Sequence, residues 1–338
     1  MTVTEIARLA GVSIGTVDRV LHNRGRVSAE TRNKIQAIIE QEGFQPNPLA
    51  RHLKRNKGYR FALLLPKLDS ESLYWRMMYD AIVQAADSFA VFSIKTELFP
   101  FSRTDRDSLK EVWERMVQSG CDGFVIAPVM QKELLALLEE MPPQAPYCLI
   151  DSPLPGARAQ TVVAQDPFKG GLVAGRMMEL LGGNQGPYAI IRPYTEAFNL
   201  NERARGFTQW FRKKPGCAII DCVCPETNRQ EAKRILGELV DAHPSLRGFF
   251  VVTSASHIIA DILYNSGAKK GRILVGYDPV PENVEFLKTD IIDCLISQRP
   301  EEQGRRVITE LYRSVVLEET PATEVQMPLD IFIKENLV

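Results

Sequence analysis

Beyond Tyr59 the chain is punctuated by continuous apolar runs: "RFALLLP" (60–66), "GFVIAPV" (123–129), "PYCLID" (146–151), "YAIIRP" (188–193), "GFFVVT" (248–253), "RILVGYD" (272–278) and "DCLISQ" (293–298). None alternates polar with apolar residues, so none describes a strand with one wet face. Strands apolar on both faces belong to sheets covered on both sides, which points to parallel sheets between helix layers. Amphipathic segments such as "RDSLKEVWERMVQS" (106–119) and "RQEAKRILGELVDA" (229–242) lie between the runs. This alternation predicts an α/β fold with doubly wound parallel sheets. About 280 residues with this many strand–helix units suit two lobes better than one sheet. The expected division gives about 59–162 plus 292–322 to lobe 1, and about 163–291 plus 323–338 to lobe 2.

The first sixty residues have a different texture. They carry 11 Lys and Arg against 5 Asp and Glu, a net +6, while the rest of the 338-residue chain sums to −7. A basic amino-terminal module on an acidic body predicts an anionic partner. A solvated charged helical face is the other reading of charge alone. Thr2-Val3-Thr4-Glu5 fits a capping box ahead of Ile6, Ala7 and Leu9. Gly11-Val12-Ser13 is a tight break, with Ser13 placed to cap the next helix. A third helix is expected from near Ser28 to Gly43. The small all-α headpiece is thus expected over 1–45, a linker over 46–58, and the lobed domain over 59–338.

On a helical wheel from Ile14 to His22, Val17, Val20 and Leu21 share one face. Gly15, Asp18, Arg19 and His22 share the opposite face, flanked by Ile14 and Thr16. A short helix after a tight turn, with another helix before it, has the layout of a helix-turn-helix, whose second helix enters the major groove. A generic two-helix hairpin has the same wheel.

"VTEIARLAGVSIGTVDRVLHNRGRVSAETRNKIQAIIEQEGFQPNPLARHLKR" resembles, without gaps over roughly residues 2–57, the headpiece of the lac-repressor/galactose-repressor family of bacterial transcriptional regulators. The resemblance implies a ligand-controlled, sequence-specific DNA-binding protein, a repressor of carbohydrate-utilisation genes. It implies a homodimer on a pseudo-palindromic double-stranded operator. It places Ile14, Gly15 and Arg19 at base-reading positions, where the arginine fork suits a guanine edge and glycine reads its base pair weakly. Thr2, Ser13, Thr16 and Arg26 fall toward phosphates, which set register without reading sequence. Asp18 stands where most members carry serine, and His22 where most carry asparagine. Four residues apart, the two are neighbours on one face. Two roles stay open: a carboxylate held by the imidazole while Arg24 and Arg26 supply positive charge, or an Asp18 that accepts from a cytosine amino group. "PNPLARHLK" matches the family's hinge. Leu53 falls where members wedge an apolar side chain into the minor groove, and Arg51 falls near the backbone. By composition alone the segment also reads as a basic linker.

The lobed remainder resembles the family's effector domain, which shares the fold of periplasmic sugar-binding proteins of the ribose type. The resemblance places Arg203 of "NERARGF", Asp166 of "AQDPFKGG", Asp278 of "VGYDPV" and Gln298 of "LISQRPEEQG" around a ligand cleft. Asp278 follows a strand, where open α/β sheets bind ligands. Carboxylate, guanidinium and amide groups together suit the vicinal hydroxyls of a sugar. Tyr74 and Trp75 either offer an aromatic face to a pyranose or pack in the core. Where members carry an Asn-Asp pair this chain reads "TSASH". Ser254 takes the amide's place, which leaves open a ligand other than a standard sugar.

A sugar-binding or sugar-acting protein on the same fold is the competing class. The chain has no phosphate-cradling glycine loop at a strand–helix junction, no GxSxG elbow and no HExxH. Asp166 and Asp278 fit sugar binding as well as acid–base work. No catalytic residue, cofactor or metal is expected. Cys121, Cys148, Cys217, Cys222, Cys224 and Cys294 are scattered and read as reduced and mostly buried. No apolar leader and no run of about 18–20 apolar residues stands in the sequence, so a cytoplasmic protein with no membrane partner is expected.

Overall fold

The computed structural model describes residues 1–21, 24–44, 58–69, 72–183, 186–194 and 197–337. The chain divides into two compact units, Met1–Lys57 and Gly58–Val338. His22 and the expected hinge, with Arg51 and Leu53, lie outside the described residues.

In the first unit α1 (Val3–Ala10), α2 (Ile14–Leu21) and α3 (Ala29–Gln41) enclose a core of Ile6, Ala7, Ala10, Val17, Val20 and Ile35. The capping box forms at α1. Glu5 N–H donates to Thr2 Oγ1 at 3.3 Å, and Thr2 N–H donates to Glu5 Oε2 at 2.7 Å. This satisfies donors that a helix start leaves open. α1 ends on Gly11 at φ +70°, the left-handed conformation that glycine adopts without a Cβ penalty. Ser13 Oγ then accepts from Thr16 N–H at 3.2 Å, and Ser28 Oγ from Thr31 N–H at 3.3 Å, so a hydroxyl opens each of the next two helices.

The second unit begins with β1 (Tyr59–Pro66), α4 (Tyr74–Ser88), β2 (Ile94–Phe101), α5 (Arg106–Gln118), β3 (Gly123–Ile126), α6 (Gln131–Glu139), β4 (Tyr147–Ile150) and β5 (Thr161–Gln165). It continues through α7 (Pro167–Gly182), β6 (Tyr188–Arg192), α8 (Phe198–Phe211), β7 (Ile219–Val223), α9 (Arg229–Ala242), β8 (Gly248–Val251), α10 (Ser256–Asn265), β9 (Ile273–Tyr277), α11 (Pro281–Lys288) and β10 (Cys294–Ser297). It closes with α12 (Pro300–Val315), β11 (Glu324–Met327) and β12 (Asp330–Phe332). Two six-stranded sheets result, ordered β11-β5-β4-β3-β1-β2 and β12-β10-β9-β8-β6-β7. Every pairing is parallel except β10 with β12. β3, β4, β8 and β10 are buried along their whole lengths, as strands covered on both faces must be.

The pairings correct the expected lobe division. β10, expected in lobe 1, pairs with β9 in the second sheet, and β11, expected in lobe 2, pairs with β5 in the first. An apolar run declares that it is covered but not which sheet covers it, so the pattern carried no address. The chain crosses between the lobes three times, after β5, β10 and β11. α12 returns to the first lobe, where Val307, Ile308 and Leu311 share a core with Phe61, Leu63, Met78 and Ile82.

Cys148, Cys222, Cys224 and Cys294 are buried and Cys121 and Cys217 half-buried, all as free thiols. No helix among the described residues is long and apolar enough to cross a membrane.

Candidate functional site

Two surfaces carry the chemistry, one in each unit. On α2, Val17 and Val20 turn into the core, while Ser13, Ile14, Gly15, Asp18 and Arg19 face solvent and Thr16 and Leu21 are half-buried. Ile14 is 50% exposed at the first turn of the helix. An apolar side chain there meets no core partner, and its chemistry suits a thymine methyl. Arg24 N–H donates to Arg19 O at 2.8 Å, which folds the following loop back on the helix. Gly25, at φ +70°, lies against the Arg19 stem, and a Cβ built there would stand 3.4 Å from Arg19 Cδ. Arg26 is exposed. Thr2 and Ser13 both use their hydroxyls as helix caps. His22 is not described, so its pairing with Asp18 stays an expectation.

The second surface is a cleft between the lobes with about 470 Å³ of atom-free space, the open mouth included. Loops at the carboxyl ends of strands supply much of its wall, as parallel sheets dictate. The first lobe contributes Tyr74 and Trp75 at the start of α4, with Arg103, Asp151 and Ser152. The second contributes Tyr194, Asn199, Arg203, Thr253 and Ser254, and Gln298 comes from the crossing after β10.

Arg203 sits on α8, 2% exposed. Its Nη1 donates to Val252 O at 2.7 Å and its Nη2 to Gln298 Oε1 at 2.8 Å, while the guanidinium carbon lies 3.8 Å from the Tyr277 ring centroid. Arg203 Nε is buried without a hydrogen-bond partner among the described residues. A buried donor left open is costly, so this nitrogen carries a penalty that the two Nη hydrogen bonds do not relieve. Glycines let the helix come this close. A Cβ on Gly171 of α7 would stand 2.0 Å from Arg203 O, and one on Gly206 of α8 2.1 Å from Phe168 O.

Asp151, at φ +74°, accepts from Tyr74 Oη at 2.6 Å and from Asn199 Nδ2 at 3.1 Å, and its own N–H meets Gln303 Oε1 at 3.0 Å. Burial raises its carboxyl above the usual range against the pull of Arg203. Tyr74 is held protonated by burial and by the Asp151 charge. Burial also pushes Asp278 up to about 7, opposed by Arg203 and by hydrogen bonds from Gln298. Thr253 donates its hydroxyl to the buried Glu226 carboxylate. Ser254 Oγ lies 2.8 Å from Ser72 Oγ of the other lobe.

Of the effector residues expected from sequence, Tyr74, Trp75, Arg203, Ser254 and Gln298 line the cleft. Tyr74 and Trp75 also belong to the core of the first lobe, packed edge to face with centroids 5.2 Å apart. Asp278 does not line the cleft. It is fully buried behind Gln298, with both carboxylate oxygens turned to that residue. Asp166 is set apart as well: it is the N-cap of α7, its Oδ1 accepting from Lys169 N–H at 3.0 Å. Asp151, Asn199, Thr253 and Arg103 were missed. Asp151 closes the apolar run "PYCLID", the position that also exposed Asp278 in "RILVGYD", so that signal was present.

Residues 2–47 match the family model for bacterial regulatory proteins of the lacI family, and residues 61–318 match the periplasmic binding protein domain. Among curated relatives, the HTH-type transcriptional regulator DegA of Bacillus subtilis is 27% identical over 246 residues, 71% of this chain and 69% of that protein. A solved structure described as a LacI transcriptional regulator from Bacteroides fragilis superposes with a TM-score of 0.76 at 28% identity, covering 83% of this chain and 98% of that one. The glucose-galactose binding protein GanP of Geobacillus stearothermophilus, at 20% identity, shares the fold with a TM-score of 0.75 over 83% of this chain and 99% of its own. The chain belongs to the lacI family of bacterial regulatory proteins, as a DNA-binding transcriptional regulator with a periplasmic-binding-protein domain.

Proposed function

We propose that the protein is a homodimeric repressor of carbohydrate-utilisation genes, acting in the cytoplasm, whose grip on its operator is set by a sugar or sugar derivative in the cleft. One observation carries the effector reading. Hydrogen-bonding groups from both lobes converge on a single space, Asp151 and Ser152 from one and Asn199, Arg203 and Ser254 from the other. A ligand bonded to Asp151 on one side and Arg203 on the other favours one lobe arrangement over another. It controls DNA binding only as far as its affinities for the two arrangements differ.

For DNA, Ile14, Gly15 and Arg19 read base edges, and Thr2, Ser13, Thr16 and Arg26 hold phosphates. Asp18, coupled to His22, tunes the same face. Leu53 wedges the minor groove and Arg51 lies along the backbone, with two subunits pairing their hinges on a pseudo-palindromic site. Catalysis has no part in this reading.

The test has two arms on the full-length chain. Selection from a random-sequence duplex pool yields two inverted half-sites if the DNA reading holds, and no enriched sequence if it fails. A melting series with D-glucose, D-galactose and their phosphates yields a raised Tm for the effector class, because a ligand specific to the folded state stabilises it by mass action.

A further inference from the structure

The hydroxyls of Ser72 and Ser254 belong to opposite lobes and lie 2.8 Å apart at the cleft wall. Ser72 stands just before α4, and Ser254 follows β8. A second bond also joins the lobes, from Asn199 Nδ2 on α8 to Asp151 Oδ2 at 3.1 Å. Both join protein to protein directly. Both pairs are partly buried, where a neutral hydrogen bond keeps more of its strength than it does in water.

Ser254 occupies the position at which the family resemblance leads one to expect an amide. The length of the side chain matters here. A hydroxyl one carbon from the backbone reaches the Ser72 hydroxyl at the cleft wall. It is fixed from behind, since its carbonyl accepts from Asn283 Nδ2 at 2.7 Å, and that buried amide shares its two N–H donors with the carbonyls of Tyr277 and Asp278 at 2.9 and 2.8 Å. The loop bearing Ser254 is therefore presented rigidly to the other lobe.

We propose that Ser72 and Ser254 form a lobe clasp, a direct hydrogen bond that biases the domain toward the closed arrangement independently of any effector. The proposal rests on the reading of the cleft as the effector site and adds its regulation. The effector builds on a closure that the chain already favours, so its affinity includes less of the cost of bringing the lobes together. One neutral hydrogen bond shifts such an equilibrium by about three- to tenfold.

The experiment measures inter-lobe distance by electron–electron double resonance. One nitroxide is placed on exposed α5 and one on exposed α9, in full-length protein dialysed free of small molecules and diluted with unlabelled chain. Cys121 and Cys217, the half-buried thiols, are first replaced by serine. Wild-type protein gives one dominant short distance. Ser254→Ala transfers population to a longer distance and lowers the closed-to-open ratio about three- to tenfold. Ser72→Ala does the same, but its hydroxyl also accepts from Tyr74 N–H at 3.3 Å, so Ser254→Ala is the cleaner variant. The double variant is no more open than the single ones, because all three lack the same bond. A Tm within a few degrees of wild type shows that each variant is folded. An unchanged distribution in Ser254→Ala, additive opening in the double variant, or a wild type already spread over long distances overturns the clasp. Failure of the clasp leaves selection of inverted half-sites untouched, whereas failure of the regulator reading shows as loss of that selection in wild-type protein.

Discussion

Gln298 holds Asp278 twice: its main-chain N–H donates to Oδ1 and its side-chain Nε2–H to Oδ2, each at 3.0 Å. The same amide accepts from Arg203 Nη2 through Oε1 at 2.8 Å. Asp278 reaches this pairing from a left-handed backbone, φ +57°, at the end of β9. A crossing between the lobes, a strand end and a cleft-facing helix are thereby joined through one glutamine. Its side chain both lines the cleft and screens a buried carboxyl.

The first prediction concerns pH. The Asp278 carboxyl is raised from its ordinary 3.8 to about 7 by burial. The folded state therefore binds this proton more tightly than the unfolded state does. Stability from this group is fully present below about pH 4 and is lost as pH rises toward 7, with a slope of at most about 1.4 kcal/mol per pH unit. Asp151 is raised in the same direction and adds the same sign. Asp278→Asn should flatten the pH 4–7 dependence measured by urea titration. An equal slope in wild type and variant contradicts the assignment.

Gln298→Leu removes the amide while keeping most of the volume. It leaves Asp278 and Arg203 buried with fewer partners and should cost about 1–3 kcal/mol. The readout is the urea midpoint at unchanged m-value. No shift would mean that Asp278 and Arg203 are adequately satisfied without the glutamine.

Gly171→Ala tests how Arg203 is placed. The new Cβ would meet Arg203 O at 2.0 Å, so α7 and α8 must separate. The expected cost is about 1–3 kcal/mol or more, with loss of effector response in whatever protein still folds. A neutral substitution would show that the helices are not held at contact distance.

In the headpiece, Arg19→Ala should cost about 1–3 kcal/mol on the selected operator and relax preference at one position of each half-site. Arg26→Ala should weaken all sequences alike and lower the salt slope by about one unit. Equal losses on operator and scrambled duplex for Arg19→Ala would move Arg19 to the phosphates.

Much of this was legible in the sequence, and the failures share a cause. The run at 294–297 announced a covered strand, and its placement beside β9 rather than in the first sheet depended on the path of the chain between the lobes, which apolar residues do not encode. Asp166 was expected at the cleft from the resemblance of "AQDPFKGG" to the family. Yet Pro167 and Lys169 show in retrospect a helix start, where an aspartate caps. Asp151 and Asn199 are 48 residues apart and meet only because the lobes face each other. The capping box at Thr2 and Glu5 was readable because every participant lies within one turn.

The central claim is that occupancy of the cleft controls the headpiece, and operator titration of Arg203→Ala beside wild type tests it most directly. Each protein is titrated with and without the sugar that raises wild-type Tm. Wild-type operator affinity should change about 5- to 150-fold on adding the ligand. Arg203→Ala should show no such change, with a ligand-free affinity that matches wild type. A full response in Arg203→Ala, or a wild type that binds the sugar without any change on DNA, contradicts it.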